Sequence, residues 1–140
     1  MPQSQIVPQE KNTDLSTASI GQLMIPISDF DRGVSFYKDT LGLPFLFSAP
    51  PQMAFFMCGS VRLLVGVVPP GQPAQRGSAI YFKVQDIQAV AATLKAKGVR
   101  LQAEPHVVHR TATSALWLSE FSDPDGNHLA LMSEAPLADA

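Results

Sequence analysis

Three histidines and a handful of carboxylates hold most of the acid–base and metal-binding capacity of this 140-residue chain. Glu104, His106 and His109 lie close together, and Glu120 and His128 fall on predicted strands nearby. Imidazole and carboxylate are common ligands of divalent ions, and histidine is the side chain best suited to exchange a proton near neutral pH. His128 is the best placed for that role. The spacing of His106-Val107-Val108-His109 is helical, yet the segment follows Pro105 and lies between strands, where positions three apart face opposite ways. Read plainly, it is a polar connecting loop whose histidines bond the backbone. Cys58 is the single cysteine, which excludes an internal disulfide and a cysteine-based zinc site. It follows Ala54-Phe55-Phe56-Met57 and reads as a buried, inert strand residue. The chain has no nucleophile elbow, phosphate-cradling glycine loop, paired-carboxylate motif or Cys-His pair, so hydrolase and kinase chemistry find no support.

These residues must be positioned by a sequence that says one thing twice. In the first copy Leu23, Ile25 and Ile27 alternate as in a strand, with Pro26 pointing to an edge or a strand end. Ser28-Asp29 then offers a helix cap, and Phe30, Val34, Tyr37 and Leu41 recur at helical spacing up to Gly42. Residues 43–48, 53–58 and 61–68 are short apolar runs broken by Pro50-Pro51 and Gly59-Ser60, as in an antiparallel meander. The second copy reads strand 78–84, a helix capped by Asp86 and ended by Gly98, then strands 99–103, 114–121 and 127–132. Asp123-Pro124-Asp125-Gly126 makes the last turn. Laying Asp29 on Asp86 gives an internal repeat of about 57 residues. The expected architecture is α+β: two βαβββ modules, about 19–68 and 77–134, forming a curled, mostly antiparallel sheet with the helices on its outer face. Residues 1–18 read as a flexible polar arm and 136–140 as a tail.

Apolar types make up 46% of the chain and charged types 16%, below the usual share of about 25%. Hidden surface, against a partner chain or a ligand, would explain the shortage. The net charge of −2 and the absence of any Lys or Arg run exclude nucleic-acid binding as an expectation. Residues 1–19 lack a signal-peptide pattern and no window is apolar enough to span a bilayer, so a cytoplasmic, non-membrane protein is expected.

The segments SDFDRGVSFYKDTLGLPF (28–45), IYFKVQDIQAVAATLKAKGV (80–99) and FSDPDGNHLALMSE (121–134), in this order, resemble the vicinal oxygen chelate superfamily of glyoxalases, extradiol dioxygenases and bleomycin-resistance proteins. The resemblance spans about residues 20–134. It implies paired modules around a small-molecule cup, usually in a homodimer, and in the enzymes a divalent metal held by His, Gln or Glu from equivalent strands. Carried over by position, the ligands become Gln22, Leu64, Ala79 and Ala130. Leucine and alanine offer no lone pair, so no inherited metal site and no cofactor are expected.

Strand alternation from these positions adds Met24 and Pro26, Arg62, Tyr81 and Lys83, and His128 and Met132 to the same face. Arg62 and Lys83 could meet an anionic group, while Tyr81 and Gln22 could supply hydrogen bonds; Lys83 could equally extend to water. Residues 115–121 are apolar on both faces, and Trp117 is assigned to the cup as a flat ring for stacking, against the alternative that it fills core or interface. The expected ligand-binding set is thus Gln22, Arg62, Leu64, Ala79, Tyr81, Trp117, His128 and Ala130. The expected function is binding of a small, partly apolar or aromatic molecule in a metal-free cup. One alternative is a metal-dependent lyase or dioxygenase with its metal relocated to Glu104, His106, His109 or His128. Another is a structural or partner-binding subunit.

Overall fold

The computed structural model describes residues 13–14, 16–17, 19–71 and 79–137. Residues 1–12, which make up most of the expected arm, and residues 72–78 and 138–140 lie outside those described. Strand β1 (Gln22–Ile27) leads into helix α1 (Phe30–Ser35), whose N-terminus is capped by the Asp29 carboxylate accepting from the Arg32 N–H at 3.0 Å. The helix continues as a π-turn over Phe36–Thr40, wider than the uniform helix expected from the spacing. Tyr37, within it, is fully buried. Strands β2 (Phe45–Ala49), β3 (Met53–Cys58) and β4 (Val61–Val67) follow.

The second module repeats the order with β5 (Ile80–Lys83), α2 (Ile87–Ala96), β6 (His106–Arg110), β7 (Ser114–Ser122) and β8 (His128–Pro136). Asp86 caps α2 by accepting from the Ala89 N–H at 3.0 Å, and Gly98 leaves it at φ +94°, a conformation that favours glycine. Two expectations fail in this half. Residues 99–103 form no strand, and the third strand is β6, built from the segment read as a loop. His106-Val107-Val108-His109-Arg110 is short, polar at both ends and exposed at four of five positions, so its alternation is too weak to announce a strand.

Each module forms its own four-stranded sheet, in the orders β1-β4-β3-β2 and β5-β8-β7-β6. In both, the first strand runs parallel to the last and the remaining pairs are antiparallel. Pro26 sits on edge strand β1, where a missing N–H is tolerated. The helix-facing sides of both sheets merge into one core of Ile25, Ile27, Tyr37, Phe56, Leu63 and Val65 with Ile87, Ala91, Leu94, Phe121, Leu129 and Leu131. Gly33 lets α1 approach β1 closely, since a Cβ there would collide with Ile27. The opposite side of each sheet is left open.

Candidate functional site

On the open side of the first sheet, cross-strand register aligns Met24, Leu64, Phe55 and Phe47 in one row, with Gln22, Arg62 and Met57 in the next. The Phe47 and Phe55 rings stack at 4.5 Å with 22° between their planes. Arg62 donates from Nε to Gln22 Oε1 at 2.8 Å, and its guanidinium lies 5.4 Å from the Phe55 ring centre. A cation over an aromatic face gains from the ring quadrupole. The three side chains therefore fix one another, and Arg62 has no carboxylate partner among the described residues.

On the open side of the second sheet Tyr81, Ala130 and Glu120 form the row that corresponds to Met24, Leu64 and Phe55. His128 lies across from Ser122 in the next row, at the place Arg62 holds in the first module. The unpaired edges of β1 and β5 flank a cleft of about 340 Å³ lined by Met24 and Pro26, by Ala79 and Tyr81, and by Asn127 and His128 among others.

Of the eight residues expected to bind a ligand, the structure joins Gln22 to Arg62, sets Leu64 beside Met24, gathers Ala79, Tyr81 and His128 around the cleft, and pairs Ala130 with Tyr81. Trp117 requires a correction. It pairs with Val107 and with the buried Ser133, packs against the helix-side core, and shares a recess with Ile87 and Gln88 at the start of α2. It therefore stands on the face away from the open side. Sequence reasoning missed Phe47 and Phe55 and weighed Glu120 only toward a metal; Phe55 could have been found by counting back from Leu64 across the Gly59-Ser60 turn.

The residues at the inherited ligand positions do not fit a divalent ion. Gln22 Oε1 already accepts from a cation, and Leu64, Ala79 and Ala130 have no donor atom to offer. A relocated site is not assembled either, since no group of three or more His, Cys, Asp or Glu side chains converges among the described residues. Glu104 binds Lys95 at 3.0 Å, His106 Nδ1 contacts the Glu104 carbonyl at 2.7 Å, and His128 sits at the cleft. The expectation that His106 and His109 face opposite ways fails. A bulge between Val107 and His109 aligns them with Leu118 and Leu116, residues of one face. Cys58 is half-buried beside Leu41, Leu43 and Phe82, and burial pushes its thiol pKa up, as for an inert cysteine.

The modules are fastened at the Asp123–Asn127 turn. Asp123 Oδ2 accepts from Tyr37 Oη at 2.8 Å and from Asn127 Nδ2 at 2.7 Å, while Asn127 Nδ2 also reaches the Pro26 carbonyl at 2.8 Å. Asp125 Oδ1 accepts from the Ser28 N–H at 3.0 Å and from Arg32 Nη2 at 3.3 Å. Burial, followed by the neighbouring Asp123 charge, raises the Tyr37 pKa far above its ordinary value. No helix of the described residues is long and apolar enough to cross a membrane.

Known proteins share this arrangement. The chain is 30% identical over 119 residues to the uncharacterized protein YraH of Bacillus subtilis (strain 168), covering 76% of this chain and 91% of that one. A lactoylglutathione lyase from Agrobacterium tumefaciens is similar in fold, with a TM-score of 0.64 at 21% identity over 83% of this chain and 93% of its own. So is a glyoxalase/bleomycin resistance protein/dioxygenase superfamily member from Sphaerobacter thermophilus DSM 20745, with a TM-score of 0.67 at 23% identity over 83% and 97%. With residues 19–131 matching that family as a whole, the chain belongs to the Glyoxalase/Bleomycin resistance protein/Dioxygenase superfamily.

Proposed function

We propose that this protein binds a small aromatic molecule bearing an anionic group, without a metal, on the open faces of its sheets. The observation that carries the reading is Arg62. Its guanidinium is held by Gln22 and Phe55 beside the stacked Phe47–Phe55 pair, and it meets no carboxylate among the described residues. A prepositioned planar cation suits a carboxylate or similar planar anion. The rings beside it supply the apolar contact that small-molecule sites generally need. The missing donors at Leu64, Ala79 and Ala130 favour binding over metal-assisted lyase or dioxygenase chemistry.

The working unit is a homodimer in the cytoplasm. Met24, Phe47 and Tyr81 on the open faces are 53, 45 and 51% exposed in the single chain, and surface of that kind is typically covered by a partner or a ligand. A titration with benzoate, followed by NMR of the Phe47 and Phe55 rings and the Arg62 Nε–H, tests the proposal. Saturable shifts that vanish in Arg62→Gln are expected; no shift from benzoate or from larger aromatic acids such as naphthoate would overturn it.

A further inference from the structure

Glu120 stands in the second module where Phe55 stands in the first. Its strand neighbours Ser119 and Phe121 are fully buried on the core side, so Glu120 projects to the open side, across from Ala130. The side chain is partly exposed, yet its Oε1 is buried and has no hydrogen-bond partner among the described residues. Nor does Glu120 join an ion pair among them. Withdrawing part of a carboxylate from water without giving it a donor is unfavourable, and a group left in that condition calls for a partner from outside.

Its surroundings indicate which partner. Ala130, opposite Glu120, is only 1% exposed, and beyond it Tyr81 stands half in solvent. Leu118 and Met132 form the adjoining row, and His128 and Ser122 flank the other side. The cation on the same face, Lys83, lies in the Met132 row, 3.9 Å from Glu134. We propose that Glu120 is a recognition point for an ammonium or amidinium group on a small aromatic compound, with the half-exposed Tyr81, across Ala130, as the flat wall. A carboxylate only accepts, its hydrogen bonds to cationic donors are about twice as strong as neutral ones, and a cation also gains from the face of a tyrosine ring. The proposal rests on the reading of the open faces as small-molecule sites and assigns a substrate class to the second of them.

The test uses benzylamine as probe, with benzyl alcohol and benzoate as neutral and anionic counterparts, in the full-length protein. NMR of the Ala130 methyl and the Tyr81 ring reports binding. Benzylamine is expected to shift both signals and to bind about tenfold tighter than benzyl alcohol. Glu120→Gln, which keeps shape and removes charge, is expected to erase that preference and leave the alcohol unaffected. Equal binding of amine and alcohol, or an amine preference that survives Glu120→Gln, overturns the assignment. Benzoate binding through Arg62 alongside silence from benzylamine removes the role of Glu120 and keeps the first reading, whereas silence from both removes both.

Discussion

Tyr37 in the first module donates its hydroxyl to Asp123 in the second across 2.8 Å, with both residues withdrawn from water. The pair lies 86 positions apart in sequence and is tied by Asn127 to the Pro26 carbonyl, so the turn before β8 is locked onto β1. The cleft between β1 and β5 inherits its geometry from this lock, because Pro26 and Asn127 are among its lining residues.

Tyr37→Phe keeps the ring and deletes the donor, leaving Asp123 Oδ2 to Asn127 alone. A loss of about 1–3 kcal/mol in unfolding free energy is expected, read from urea denaturation. The wild-type protein should also lose stability above pH 10, the ordinary value for the phenol, because the unfolded chain can then release a proton that the folded one retains. The raised pKa makes its contribution complete below that pH and smaller above it. In Tyr37→Phe the alkaline decline should be shallower; an identical slope would contradict the assignment.

Gly33→Ala places a methyl group against Ile27 at the contact of α1 with β1. Overpacking of this kind costs about 1–3 kcal/mol. Adding Ile27→Val, which trims the opposing side chain, should recover part of the loss in melting temperature, and a double variant less stable than the sum of the two singles would argue against direct contact.

Trp117 is a control built into the molecule. Because it lies on the helix side, benzoate binding should leave its fluorescence emission unchanged while the ring signals of Phe47 and Phe55 move. Trp117→Ala should cost about 2 kcal/mol or more in stability and leave benzoate affinity intact. A large emission change on binding would return the indole to the site.

Zinc or manganese should not raise the melting temperature. A divalent ion held by the folded chain and present at a hundredfold excess over its Kd would contribute about 2.7 kcal/mol. With Leu64, Ala79 and Ala130 at the inherited positions and no three ligating side chains converging among the described residues, no such rise is expected in a thermal scan.

The modules were legible because their signals are local: Asp29 and Asp86 cap where capping side chains stood, and Ile25 and Ile27 of the expected alternation enter the core while Leu23 stays exposed. The fate of β6 was not, since a polar edge strand with a bulge between Val107 and His109 takes its pairing from β7 rather than from its own alternation. The orientation of Trp117 was hidden for a related reason. With Leu116, Trp117 and Leu118 consecutive in β7, both faces are apolar and only the packing of α2 decides which is inside. Arg62 was found by counting outward from Leu64, but its hold on Gln22 depends on a parallel register between β1 and β4 that no short segment encodes.

In each module the first strand lies beside the last, and no strand pairing among the described residues crosses from one sheet to the other. Each half therefore carries a complete set of instructions for its own sheet, and the halves meet through side-chain packing and a few hydrogen bonds. A cut between Val67 and Ile80 would sever no strand pair among them. The protein is in this sense two sheets sharing one interior, and the interior, rather than any shared sheet, joins them.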